Sequence, residues 1–150
     1  MRVVIQKTRA ASVSIEGQVV GQIDQGYVLL VGFTHGDQEE DCDYCAKKVA
    51  KMRLFEDEAG KINRSLDQVG GSILSISQFT LYAATRKGNR PGFSQAADPA
   101  IAQDLYEYFN QQLRSYGYQV ETGQFGADML VQIANEGPVT ILLDSVADRQ

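Results

Sequence analysis

Histidine and cysteine are scarce in this chain: His35 is the only histidine of the 150 residues, and Cys42 and Cys45 are the only cysteines. A structural zinc site wants four such ligands, and one C-x-x-C without a second pair does not supply them. Buried thiols acting as small apolar groups on one face of a helix are therefore the expectation. The chain also has no Ser-His-Asp order, no H-E-x-x-H, no Walker loop and no G-x-S-x-G, which leaves few routes to conventional hydrolysis. Either it is not an enzyme, or its chemistry uses backbone and substrate groups; no metal and no cofactor are expected.

Long apolar runs are missing too. The longest, Tyr27 to Phe33, is far short of the ~20 residues that span a bilayer. At the N-terminus Arg2 precedes Val3-Val4-Ile5 and then Gln6-Lys7, a strand pattern without the apolar core or cleavage site of a signal peptide, so a cytoplasmic location is the expectation. Positive charge is in deficit, with 14 Lys and Arg against 19 Asp and Glu, a net charge of −5 and a pI of about 4.8. Phosphate neutralisation supplies most non-specific affinity for nucleic acid, so this balance argues against a general nucleic-acid binder.

What is present fits one domain over residues 1–150, with 43% hydrophobic and 22% charged residues. Alternation predicts an extended Arg2–Ser14, a turn at Glu16-Gly17-Gln18, a returning strand Val19–Ile23 and a continuous apolar strand Gly26–Phe33. Glu39–Leu54 carries Cys42, Cys45, Ala46, Val49, Ala50 and Met52 at helical spacing. Phe55–Gly71 is polar and turn-rich, and Ser72–Leu81 reads as a strand. After a loop at Ala84–Ala97, Asp98-Pro99 is an N-cap followed by proline at the first helical position, and the helix runs to about Tyr116. Tyr118–Ser145 reads as three strands with turns near Gly123–Gly126 and at Asn135–Pro138. The expected class is α/β, with mixed sheets in the order ββ-βα-βα-βββ and two helices on one side.

Two short segments carry the functional argument. Ser77-Gln78-Phe79-Thr80 falls at the end of a predicted strand, where the ladder stops and N–H groups are left for ligands. Taken alone, it reads as an ordinary half-buried strand with Phe79 inward. Asn135-Glu136-Gly137-Pro138-Val139-Thr140 contains an X-Pro bond, the one kind of peptide bond that adopts cis cheaply, at roughly 0.5–1 kcal/mol. The glycine before it lets both carbonyls be aimed with no Cβ in the way. Taken alone, it reads as a hairpin turn.

Together they resemble the paired signatures of the D-aminoacyl-tRNA deacylase family, Ser-Gln-Phe-Thr and Asn-x-Gly-Pro-Val-Thr. The resemblance extends to Ile5–Val13, Gly60-Lys61-Ile62-Asn63, Arg90-Pro91-Gly92-Phe93-Ser94 and Thr122–Met129, in the same order and spacing. It implies a three-layer α/β/β fold and hydrolysis of the ester of D-aminoacyl-tRNA, a proofreading of chirality in translation. By the same resemblance, Ser77, Gln78, Phe79 and Thr80 form the catalytic segment, whose backbone N–H groups hold the scissile carbonyl. With no base inside the motif to activate it, Thr80 reads as a positioning donor, and a nucleophilic Thr80 is the alternative.

The resemblance further implies a homodimer in which a cis Gly137-Pro138 from one subunit enters the active site of the other. There its carbonyls would grip the α-amino group and its backbone would block an L side chain; a trans form would admit small L-residues. Asn135 belongs to this motif. Phe125 and Ala102, like Arg90 and Phe93, are either pocket or adenosine contacts, or core and loop anchors. Arg86, Lys87 and Arg90 are either tRNA contacts or a solvated surface. Two positions depart from the family pattern, Lys7 where arginine is common and Gly92 where serine is frequent; lysine cannot reproduce a planar bidentate contact. The rival from another class is a non-catalytic nucleic-acid-binding protein, against which the acidic charge counts.

Overall fold

The computed structural model describes residues 1–150. Its strands are β1 (Arg2–Ile15), β2 (Gln18–Ile23), β3 (Gly26–Gly32), β4 (Arg53–Glu56), β5 (Ile62–Ser65), β6 (Ser72–Ser77), β7 (Val120–Thr122) and β8 (Leu130–Asp144). The helices are α1 (Glu39–Lys51) and α2 (Pro99–Ser115), and a short 3-10 turn spans Phe79–Tyr82. The main sheet runs β2-β1-β3-β6-β7, with β8 also paired to β1. β1 is antiparallel to β2, β3 and β8, whereas β6 is parallel to both β3 and β7, so the sheet is mixed.

Side-chain alternation on the central strands separates two cores. Tyr27, Leu29 and Val31 of β3 and Ile73 of β6 pack with Cys42, Cys45, Ala46 and Val49 of α1 and Leu105, Phe109 and Leu113 of α2. Each large side chain buried there contributes about 1.5–3 kcal/mol relative to exposure. Val28, Leu74 and Ile76, on the opposite face, pack with Ala11 and Val13 of β1 and Ile23 of β2. Helices therefore cover one face, and the far half of β1 with β2 and the start of β8 covers the other.

α1 begins with Asp41 accepting the Gln38 N–H at 2.9 Å, has acidic residues in its first turn and ends with Lys48 and Lys51 in its last, in agreement with its dipole. α2 starts at Pro99 and is followed by Gly117 at φ +94°. Four details differ from the sequence reading. α1 stops at Lys51, because Met52 is already extended and Arg53 enters a hairpin, β4–β5, that begins within the expected helix and runs into the stretch read as turn-rich. β6 ends at Ser77, and Phe79–Tyr82 winds into a 3-10 turn instead of extending the strand. The C-terminal third holds two strands rather than three. Asn135–Pro138 is not a turn between strands but an irregularity inside β8, where pairing with β1 jumps from Gln6↔Thr140 to Thr8↔Asn135.

Candidate active site

A cavity of about 690 Å³ opens where β3 and β6 end. Val31, Gly32 and Phe33 form one wall, and Ile76, Ser77, Gln78 and Phe79 the next. The loop before α2 adds Phe93, Ser94 and Asp98, the first turn of α2 adds Pro99 and Ala102, and the segment leading into β8 adds Phe125, Asp128 and Met129. Parallel pairing aligns Val31 with Ser77 and so brings the first two walls together.

Gly32 decides how the 3-10 turn sits. A Cβ there would lie 2.8 Å from the carbonyl oxygen of Gln78 and 3.1 Å from the Cβ of Leu81, so only a glycine lets the turn fold down against β3. The Gln78 N–H donates to the Val31 carbonyl at 2.7 Å, and the Leu81 N–H donates to the Gln78 carbonyl at 3.3 Å. Phe79 and Thr80 are the first two residues of the turn. The opening N–H groups of a helical turn have no acceptor within it, so neither of these two donors is used inside the turn.

The side chains around this point are sparsely paired. Gln78 Nε2 donates to Thr80 Oγ1, which makes the threonine oxygen an acceptor, and no base is hydrogen-bonded to it. The rings of Phe79 and Phe93 meet edge to face at 5.1 Å, and both stay substantially exposed, at 56% and 40%. His35 is engaged with the Ser94 carbonyl at 2.9 Å, fastening the loop before α2 to the end of β3. Asp98 does not cap its own helix through its side chain. No three His, Cys, Asp or Glu side chains group closely enough to hold a metal ion.

Of the residues singled out from sequence, Ser77, Gln78, Phe79, Phe93, Ala102 and Phe125 line this one cavity, with Thr80 beside it through its bond to Gln78. Ala102 and Phe125 belong to the wall and to the packing at once, since Ala102 is buried and Phe125 lies 6.1 Å from the ring of Tyr106. Arg86, Lys87 and Arg90 are outside the cavity, on an exposed loop pinched off by paired Ala84–Gly92 hydrogen bonds of 2.7 and 2.9 Å. Gly32, His35 and Asp98 line the cavity but carry no motif signal of their own. The hint for Gly32 was a glycine closing an apolar strand.

Asn135, Gly137 and Pro138 do not line this cavity. They lie on β8 with Gly137 and Pro138 exposed, and the peptide bond between these two is cis. Asn135 Nδ2 donates to the Val139 carbonyl at 3.3 Å, closing a small loop around the step, and Gly137 holds φ +118°. Glu136 is paired with Arg9 and with the buried Lys7. The hydrogen bond from Arg9, aided by both positive charges, outweighs partial burial and holds the Glu136 carboxyl below the usual range.

Residues 4–144 match the model of the family described as D-Tyr-tRNA(Tyr) deacylase. The chain is 57% identical over 145 residues to the D-aminoacyl-tRNA deacylase of Halalkalibacterium halodurans, covering 97% of this chain and 99% of that one. It is also 57% identical to the D-aminoacyl-tRNA deacylase of Brevibacillus brevis, covering 97% and 100%. Among solved structures, one titled c-Myc DNA Unwinding Element Binding Protein superposes with a TM-score of 0.90 at 37% identity, covering 96% of this chain and 98% of that one. A second, titled as a probable eukaryotic D-amino acid tRNA deacylase, gives a TM-score of 0.80 at 18% identity over 95% and 97% of the two chains, a likeness of fold.

Proposed function

The chain belongs to the D-Tyr-tRNA(Tyr) deacylase family, and on that premise we propose that it hydrolyses the ester of D-aminoacyl-tRNA, releasing free D-amino acid and tRNA. The observation that carries the reading is the pair of N–H groups of Phe79 and Thr80, left without intraturn acceptors next to a cavity, where the Thr80 hydroxyl has no base hydrogen-bonded to it. Such donors stabilise the oxyanion that forms when water adds to the ester carbonyl. Losing one oxyanion donor costs on the order of 2.7–4 kcal/mol, or 10²–10³ in rate.

In this reading the ester carbonyl points at the two N–H groups and the ribose 2′-OH next to the ester positions water for attack. Collapse of the tetrahedral intermediate breaks the bond between the acyl carbon and the ribose 3′-oxygen, which takes up a proton. Thr80 positions and is not acylated. Phe79 and Phe93 offer exposed aromatic faces to the terminal adenosine, with Ala102 and Phe125 behind them, and Arg86, Lys87 and Arg90 meet phosphates of the acceptor end. No metal ion or cofactor enters the mechanism.

Chirality is assigned to Asn135-Glu136-Gly137-Pro138 of a second subunit, in a two-fold homodimer of single-domain protomers acting in the cytoplasm. Two features support this: Gly137 and Pro138 are exposed, and the segment lies away from the cavity of its own chain. Its carbonyls receive the substrate α-amino group, and its backbone occupies the space that an L side chain would need. Glycine has no side chain to exclude, so glycyl-tRNA is cleaved as well.

The test is deacylation of D-tyrosyl-, L-tyrosyl- and glycyl-tRNA side by side, with chelator present. Loss of the D-tyrosyl and glycyl esters with the L-tyrosyl ester intact supports the reading. Loss of no ester by the folded protein overturns it, and salt-dependent binding to plain duplex DNA in that case selects the binding-protein alternative.

A further inference from the structure

We infer that Arg2 is a positioning residue for the turn that presents the Phe79 and Thr80 N–H groups, an inference that rests on the catalytic reading of that turn. Phe79–Tyr82 is a single 3-10 turn whose opening residues are exposed, closed by hydrogen bonds of 3.3 and 3.1 Å. A turn with so few internal bonds, exposed at its opening end, takes its geometry from what holds it on the outside.

Arg2 is the side chain placed to do so. On β1 it stands directly opposite Gly32 of β3 on one side and Asp144 of β8 on the other. Residues opposite each other in a sheet project to the same face, so the arginine shares a face with a glycine. That face of Gly32 is where the turn sits, with Gln78 and Leu81 in the space a Cβ would take.

Across this gap Arg2 Nη1 donates to the Leu81 carbonyl at 2.8 Å, while its guanidinium lies 4.5 Å from the centroid of the buried Tyr82 ring. Arg2 Nε donates to Asp144 Oδ2 at 3.1 Å, and the other oxygen of that carboxylate accepts the Val146 and Ala147 N–H groups, so the orienting partner is itself held. One planar side chain thus grips two consecutive residues of the turn, immediately after the two proposed donors. Lysine would keep the charge but not both directed bonds and the stacked plane.

The experiment compares wild type, Arg2→Ala and Arg2→Lys in single-turnover and steady-state deacylation of D-tyrosyl-tRNA, and follows amide hydrogen exchange of residues 79–83. Arg2→Ala is expected to lower kcat about 10- to 100-fold with KM unchanged, to speed exchange in the turn, and to regain activity when ethylguanidinium is supplied. Arg2→Lys is expected to fall between the other two, and serves alone if the alanine variant does not fold. Exchange in the turn equal to that of wild type, or a kcat equal to wild type in Arg2→Lys, overturns the inference. Failure of the underlying reading looks different: wild type then turns over no ester, or the turn loosens in Arg2→Ala while kcat holds.

Discussion

The ammonium of Lys7 lies 3.6 Å from Oε1 of Glu136, the residue before the Gly137-Pro138 step, and 5.1 Å from the centroid of the Phe55 ring. Lys7 is only 5% exposed, whereas Arg9, the other partner of Glu136, has a side chain 80% exposed. The asymmetry gives a prediction. Glu136→Gln leaves a buried ammonium without its counter-charge and should cost about 1–3 kcal/mol. Arg9→Ala removes an ion pair in water and should cost under about 1 kcal/mol, and Lys7→Met, which removes the buried charge itself, should cost less than Glu136→Gln. Urea denaturation of the three variants orders them.

Gly32→Ala places a Cβ 2.8 Å from a backbone oxygen of the turn, and neither side can swing away as a flexible side chain would. Overpacking of this kind costs about 1–3 kcal/mol, and the displaced turn should lose about 10- to 100-fold in kcat. A thermal melt with kinetics on the same sample separates the two effects; a stability loss with unchanged kcat would detach Gly32 from the chemistry.

Thr80→Ala should lower kcat about 10²-fold and leave residual turnover, since the backbone N–H at that position survives the substitution. No acyl group should be found on the wild-type protein by acid-quenched mass spectrometry. Total inactivity, or an ester trapped on Thr80, would make the hydroxyl a nucleophile.

Two partly buried carboxylates contribute to the acid limit of stability. Burial opposes ionisation of Asp41, but the Gln38 N–H, the Ser145 hydroxyl, the N-terminal ammonium and Arg149 outweigh it and hold the group below the usual carboxylate range. Asp144 is likewise penalised by burial, yet held low by the Ala147 and Val146 N–H groups and by Arg2. A carboxyl lowered in the folded state stabilises above its unfolded value, near 3.9 for aspartate, and that contribution disappears as pH falls through the folded value. The melting temperature should therefore be steady above about pH 5 and drop below about pH 4. Asp41→Asn should flatten that drop.

Cys42 and Cys45 are buried, and burial, assisted at both by nearby aspartates and opposed at Cys45 by the N-terminal ammonium, pushes both thiols up to about 12. The thiolate is the reactive form. At pH 8 neither should react with a thiol reagent in the folded protein, and both should react at once in denaturant; labelling of the native state would contradict the packing described.

What the sequence determined by itself lay in short-range chemistry. Asp98-Pro99 announced α2, the apolar spacing of Cys42, Cys45 and Val49 announced α1, and alternation announced β1 to β3, because each depends on neighbours a few residues away. The segment Ser77–Thr80 also drew attention, as did Gly137-Pro138. Where these residues go was decided by tertiary contacts. Residues 79–82 leave the strand because Gly32, some fifty positions earlier, has no Cβ to keep them off β3. β8 continues through a proline because β1 pairs with it on both sides of the step and absorbs the missing donor at an irregularity. The β4–β5 hairpin was hidden because only Leu54 and Phe55 of its first strand are buried, too few to show a period. The cavity draws its walls from four separate stretches of chain, and their meeting rests on packing that no local pattern encodes.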